Sequence, residues 1–194
     1  MAPDLSVVIC TLNRSRMLGK CIESLTKQQS APWTFEVLVV DNGSTDATRG
    51  VVEAARPGLP ALRYIYEERQ GLSIARNSGM QCARASWIAY LDDDASAATG
   101  WCRAICQTFA MLAAEGKREF ACLGGPVEPV FEEARPAWLS KELEEVYTIL
   151  DRGELLEPFP PSQVPLGANC AFLREVLVNH RFNERLGRAG TSMI

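Results

Sequence analysis

Four short runs do most to fix the architecture. LSVVIC (5–10) and FEVLVV (35–40) are apolar and rich in β-branched residues, the pattern of strands buried on both faces. LRYIY (62–66) and SWIAYL (86–91) read as a third and a fourth strand. The intervening segments carry apolar residues at helical spacing: Met17, Leu18, Cys21, Ile22 and Leu25 after the first run, and Val51, Val52 and Ala55 after the second. After the third run, GLSIARNSGMQCARA (71–85) reads as a glycine turn leading into a helix. Ser44, Thr45 or Asp46 is placed to cap the second helix. Strands alternating with helices in this way predict an α/β fold with a mainly parallel central sheet flanked by helices.

Parallel order has a chemical consequence. Strands 1, 2 and 4 then release their loops at one edge of the sheet, where ligands of open α/β folds bind. The residues at those exits are TLNR, DNGSTD and DDDA. Asp92, Asp93 and Asp94 stand side by side directly after an apolar strand, where three negative charges repel one another most strongly. Standing alone, such a triplet reads as a solvated turn. Its convergence with two other polar strand exits points instead to a crevice that expects something positive.

The second half is looser. Thr99 can cap a helix with Trp101, Ile105, Phe109 and Leu112 on one face. FACLGGPVEPV (120–130) suggests one or two strands interrupted by Gly124, Gly125 and Pro126. Residues 131–165 are rich in Pro and Glu, with a short helix expected near SKELEEVYTIL, and PLGANCAFLREVL (165–177) returns to strand and helix. The net charge of −4 and a pI near 5.2 argue against a nucleic-acid partner. No apolar run is long enough to span a membrane, and MAPDLSVVIC lacks the form of a secretory signal, so a cytoplasmic chain is expected. Seven scattered cysteines without a CxxC pair read as small buried hydrophobes.

Several chemistries are poorly supported. There is no GxGxxG, no P-loop and no GxSxG, and the single histidine, His180, reads as a surface residue at a helix end. What remains is hard-metal chemistry. Paired carboxylates on a fixed strand end suit Mg²⁺ or Mn²⁺, which take oxygen ligands and share them with substrate phosphates. Asp41 closes the second strand, where it can accept hydrogen bonds from a base or ribose. Arg76, early in the third helix, can balance the triplet or reach a nucleotide.

Taken together, SVVICTLNR, VLVVDNGSTDAT, GLSIARNSG, WIAYLDDDA and PLGANCAFLRE…FNERLGRAG resemble the family 2 glycosyltransferases in order and spacing. The resemblance covers nearly the whole chain. It implies a single GT-A domain over 1–194, with a nucleotide-sugar half (1–98) and an incomplete acceptor-side half (99–194). It also implies transfer of a sugar, with inversion and a divalent cation, from a UDP-, GDP- or dTDP-linked donor to a glycan or lipid-linked acceptor. By position, Thr11, Asn13, Arg14, Asp41, Arg76, Asp92 and Asp93 would face the nucleotide. Asp92 and Asp94 would hold the metal as a DxD element. Gly167, Ala168 and Asn169 would flank donor sugar and acceptor, and Trp138 can stack on an acceptor sugar or anchor its loop.

One departure stands out. An inverting transfer needs a base for the acceptor hydroxyl, and in similar proteins an acid shortly after the segment matching LGRAGTSM supplies it. Here that base is expected just beyond Ile194, so a shortened and poorly active chain is anticipated; Glu184 lies before LGRAG, on the other side of the segment from the expected acid. Two other readings stay open: a sugar-nucleotide-binding module without chemistry, and a nucleotidyltransferase. The family's usual work suggests action at the cytoplasmic face of a membrane.

Overall fold

The computed structural model describes residues 2–116, 120–140, 143, 149–153, 155–160, 163–186, 188–189 and 192–193. All four predicted runs are strands: β1 (Leu5–Thr11), β2 (Phe35–Asp41), β3 (Leu62–Tyr66) and β4 (Trp87–Tyr90). Helices α1 (Ser15–Thr26), α2 (Thr48–Ala55) and α3 (Leu72–Cys82) alternate with them, and α4 (Trp101–Ala114) follows β4. The chain then forms β5 (Cys122–Gly124), β6 (Cys170–Leu173) and α5 (Arg174–Asn179), and ends in the hairpin β7 (Arg188–Ala189) and β8 (Ser192–Met193). Among the described residues the main sheet has six strands in the order β3-β2-β1-β4-β6-β5. β1 pairs in parallel with β2 and β4, and β2 with β3; β6 and β5 extend the sheet antiparallel.

Side-chain alternation divides the core into two layers. Leu5, Val7, Ile9, Val37, Val39, Ala89 and Leu91 pack under α1, α2 and α4, with Leu18, Ile22, Val52 and Phe109. Val8, Leu38, Val40, Ile88 and Tyr90 face α3 and α5, with Ala75, Met80 and Leu177. Apolar cover on both faces is why β1 and β2 read as continuous apolar runs. On the α3 face the contact is close: a Cβ on Gly79 would lie 2.3 Å from Val8 Cγ1, so only glycine lets the helix approach this far. At the amino ends of the strands, buried Glu36 accepts from Ser6 Oγ (2.8 Å), Arg63 Nη1 (2.9 Å) and Arg84 N (2.8 Å), closing the edge opposite the crevice.

Some local expectations are corrected. Met17 is 37% exposed, off the buried stripe of α1. Thr99 does not cap α4; Gly100 occupies that position, and Gln28 Oε1 accepts from Cys102 N (3.0 Å) from across the fold. A sequence scan sees only neighbouring side chains, so this long-range partner was not legible. Ala47 occupies the N-cap position of α2, and of the three residues expected to cap it Asp46, just before Ala47, is the one that binds the first turn, joining the starts of two helices. It accepts from Thr48 N (3.0 Å) and, with its other oxygen, from Ser15 N (2.9 Å) at the head of α1. Most of SKELEEVYTIL lies outside the described residues. His180 is exposed at the end of α5, as expected. All seven cysteines are free thiols; burial pushes Cys10, Cys102, Cys106 and Cys170 up to about 12, which keeps them protonated.

Candidate functional site

The three strand exits meet at one edge of the sheet, and the pleat decides which face each carboxylate takes. Continuing the β1–β4 register beyond Val8↔Tyr90 sets Asp93 beside Thr11. Thr11 Oγ1 donates to Asp93 Oδ2 (2.7 Å), and Arg14 Nη1 donates to Asp93 Oδ1 (3.1 Å) and to Asp94 Oδ2 (2.7 Å). Asp92 takes the opposite face, with Tyr90. There Arg76 Nη2 lies 3.9 Å from Asp92 Oδ1. The triplet is therefore divided between two guanidinium groups, Arg14 on the α1 side and Arg76 on the α3 side. This is how three adjacent acids are tolerated.

Arg76 is firmly placed. Its guanidinium sits over the rings of Phe182 (5.4 Å to the centroid) and Tyr90 (5.9 Å). A Cβ on Gly167 would stand 2.7 Å from Arg76 Nη2, so that position must be bare for the arginine to lie where it does. Gly167 is thus brought to the crevice through Arg76. Ala168 belongs to the same turn, which precedes β6. Asn169 is occupied structurally: its Oδ1 accepts from Trp101 Nε1 (2.9 Å) and its Nδ2 donates to the Pro126 carbonyl (2.9 Å).

Asp41 is buried at the end of β2. Its Oδ1 accepts from Ser44 N (2.8 Å) and its Oδ2 from Tyr64 OH (2.7 Å). Burial and the neighbouring Asp41 raise the Tyr64 phenol to about 12, so the hydroxyl stays a donor. Asn13, in a left-handed conformation (φ 54), ties the first exit to the second. Its N–H donates to Ser44 Oγ (2.9 Å) and its Oδ1 accepts from Thr45 N (2.8 Å). Asn42 ties the second exit to the segment between β3 and α3: it donates to the Arg69 carbonyl (2.7 Å) and accepts from Gly71 N (2.7 Å). Tyr64 and Asn42 were not read as site residues from the sequence, and Ser44 was named there only as a candidate helix cap. The alternation of LRYIY put Tyr64 on a defined face, but only the β2–β3 register sets it under Asp41.

The electrostatics follow from this geometry. Burial raises the Asp92 carboxyl above its ordinary value; Arg76 opposes the shift and the neighbouring acids add to it. Burial likewise raises Asp93, against the bonds from Thr11 and Arg14. Among the described residues no three His, Cys, Asp or Glu side chains gather into a metal cage. The donors nevertheless suit a hard cation. The side chains of Asp92 and Asp94 are 45% and 49% exposed, and each has a carboxylate oxygen with no hydrogen bond among the described residues. A Mg²⁺-like ion needs only one or two such carboxylates when phosphates and waters complete its octahedron.

The segment after α5 is anchored on α3. Buried Asn77 donates to the Phe182 carbonyl (2.9 Å) and accepts from Phe182 N (3.0 Å), and Ser73 Oγ donates to the Leu186 carbonyl (2.7 Å). Glu184 is engaged by Arg69 Nη1 and Asn77 Nδ2, each at 3.3 Å. Trp138 is 63% exposed between β5 and β6, and the adjacent Leu139 is the residue that enters the interior. No described helix is long and apolar enough to cross a membrane.

Comparison with known proteins adds three findings. The family model for glycosyl transferase family 2 matches residues 6–180. A validoxylamine A glucosyltransferase from Streptomyces hygroscopicus subsp. limoneus is 44% identical over 92 residues, 46% of this chain and 20% of that protein. Among solved structures, S. aureus TarS 1–349 superposes with a TM-score of 0.68 at 22% identity, covering 97% of this chain and 52% of that one. The mannosyltransferase PcManGT from Pyrobaculum calidifontis, in complex with GDP-Man and Mn²⁺, gives 0.66 at 20% identity, covering 96% and 49%. The chain therefore spans about half the length of these solved relatives and a fifth of the curated one, and the shared arrangement is the GT-A fold.

Proposed function

The chain belongs to glycosyl transferase family 2, and on that premise we propose that its crevice binds a nucleoside-diphosphate sugar for transfer to a glycan or lipid-linked acceptor with inversion. One observation carries the reading: Thr11, Asp41 and the Asp92–Asp94 triplet, from three parallel strands, arrive at one sheet edge with Arg14 and Arg76 on either flank. Residues 1–98 supply the nucleotide half and 99–194 the acceptor side. Action at the cytoplasmic face of a membrane belongs to the same proposal.

Each residue has a defined task. Asp41, held by Ser44 and Tyr64, keeps lone pairs for the N–H of a base or a ribose hydroxyl. Asn13 and Asn42 lock the loops around it, so the pocket is ordered before the nucleotide arrives, which reduces the entropy lost on binding. Asp92 and Asp94 would hold Mn²⁺ or Mg²⁺ as a DxD element, with Asp92 also beside the ribose. Such an ion, when bound, screens the diphosphate from the acids and takes up charge as the diphosphate leaves. Arg76, between Asp92 and Gly167, faces the donor from the acceptor side. Trp138 offers an exposed ring to an acceptor sugar. That PcManGT is solved with GDP-Man and Mn²⁺, and TarS 1–349 with UDP-GlcNAc, supports this class of donor.

Calorimetric titration of UDP, GDP and dTDP with Mn²⁺, and again with EDTA, tests the proposal. One nucleotide is expected to bind only with metal and to lose its affinity in Asp94→Ala. Equal binding with EDTA would refute the metal's part. No binding of any nucleotide under either condition would refute the donor site.

A further inference from the structure

Arg14 treats its two acidic partners unequally. Asp93 is nearly buried, its side chain 8% exposed, and Thr11 holds it as well. Asp94 is 49% exposed and, among the described residues, accepts a hydrogen bond from Arg14 alone. One nitrogen, Nη1, makes both contacts, so neither acid is gripped by the two-pronged fork that makes arginine pairs rigid. The Arg14 side chain is itself 47% exposed and therefore has room to turn. The other basic residues of the segment are committed elsewhere: Arg16 and Lys20 both contact Glu132, at 3.3 and 3.0 Å. A cation thus already sits on the carboxylate that the proposed reading assigns to the metal.

We infer that Arg14 is an internal counter-ion that competes with a divalent cation for Asp94: it holds the carboxylate while the crevice is empty and releases it when the ion binds, staying on Asp93. The inference rests on the proposed role of Asp94 as a metal ligand. The physical basis is charge exchange. In the empty crevice the guanidinium neutralises an acid that would otherwise face Asp92 and Asp93 unscreened. When a divalent ion arrives, the guanidinium becomes a like charge beside it and is driven off the exposed acid, while the buried one retains it. A nucleoside diphosphate brings new negative charge for the displaced arginine. The competition therefore weakens metal binding most when no nucleotide is present, and metal uptake becomes coupled to the nucleotide.

The test is Mn²⁺ titration of the full chain, read by the electron paramagnetic resonance of free Mn²⁺, with and without nucleotide. Without nucleotide, Arg14→Gln is expected to bind Mn²⁺ about three- to tenfold more tightly than wild type, the range set by an exposed ion pair and one removed like charge. Its affinity gain on adding nucleotide should shrink correspondingly. Arg14→Lys, which keeps the charge on a shorter group that cannot span both acids, should lie between, and it serves as the second arm if the glutamine variant does not fold. A purely structural Arg14 predicts the opposite, weaker Mn²⁺ binding in both. If neither folded variant binds Mn²⁺ more tightly than wild type, the inference is overturned. If no form takes up Mn²⁺ even with UDP, GDP or dTDP, the metal reading of Asp92 and Asp94 fails, and the inference with it.

Discussion

The same substitution, glycine to alanine, should have opposite signs in two helices of this fold. In α2, a Cβ at Gly50 meets nothing within 4 Å. Alanine there gains helix propensity and narrows the unfolded ensemble, so Gly50→Ala is expected to stabilise by about 0.5 kcal/mol. In α3, a Cβ at Gly79 would fall 2.3 Å from Val8 Cγ1 and 3.3 Å from Val40 Cγ2. Carbon atoms normally approach to about 3.5–4.0 Å, so the first contact is an overlap of more than an ångström. Val8 and Val40 are fully buried on the two central strands, and their β-branched side chains have little freedom to turn away. Overpacking of this kind costs about 1–3 kcal/mol or somewhat more, against a propensity gain of about 1. Gly79→Ala should therefore lose about 2 kcal/mol. Urea denaturation followed by tryptophan fluorescence reads both variants in one experiment. Because α3 carries Arg76, Gly79→Ala should also weaken nucleotide binding, and Gly50→Ala should not. A Gly79→Ala chain as stable as wild type would refute the close-packing argument.

Three further outcomes are expected. Asp46→Ala removes the carboxylate that accepts from the first N–H of both α1 and α2 and should cost about 1–2 kcal/mol, lowering the melting temperature by about 3–6 °C at pH 7. The hydrogen bonds from Thr48 and Ser15 outweigh burial and hold this carboxyl at about 2, below its ordinary 3.8. The wild-type advantage should therefore be complete above pH 4 and vanish as the pH falls through 2, a trend that thermal melts across this range will show. Asp92→Asn should raise the melting temperature of the empty chain by about 1–2 °C at pH 7, a modest gain because the side chain is half exposed, while abolishing metal-dependent nucleotide binding. The Asp92 carboxyl is raised in the folded chain, so the wild type gains stability as it protonates on acidification. The difference from Asp92→Asn should accordingly shrink as pH falls. Asn77→Ala leaves the N–H and C=O of Phe182 without their partner and should cost about 2–4 kcal/mol, with faster hydrogen exchange at the Phe182 amide.

The first half of the chain was legible in the sequence because its signals are local. A strand buried on both faces must be apolar at every position, and a helix covering it must repeat at 3.6 residues; both marks stand in LSVVIC, FEVLVV and the segments after them. The acidic triplet, the polar strand exits and Arg76 early in α3 could be picked out for the same reason. The second half was less readable. Its anchors on α3 and α4 are isolated long-range contacts, such as the two hydrogen bonds between Asn77 and Phe182 and the one from Trp101 to Asn169, and these leave no periodic trace.

Sequence alone therefore determined the order of elements, the edge at which they open and the residue types that meet there, since periodicity and turn chemistry are properties of neighbours along the chain. Tertiary structure decided the pairings. The register of β1 on β4 sends Asp93 to Thr11 and Arg14, while the pleat turns Asp92 to Arg76, so adjacent carboxylates acquire different cations. The register of β2 on β3 brings Tyr64 to Asp41, and the bare backbone at Gly167 lets Arg76 reach the crevice. A one-residue slip in register would exchange the two faces of a strand while leaving its hydrophobic pattern unchanged in the sequence. Which charge meets which is for that reason a property of the folded sheet.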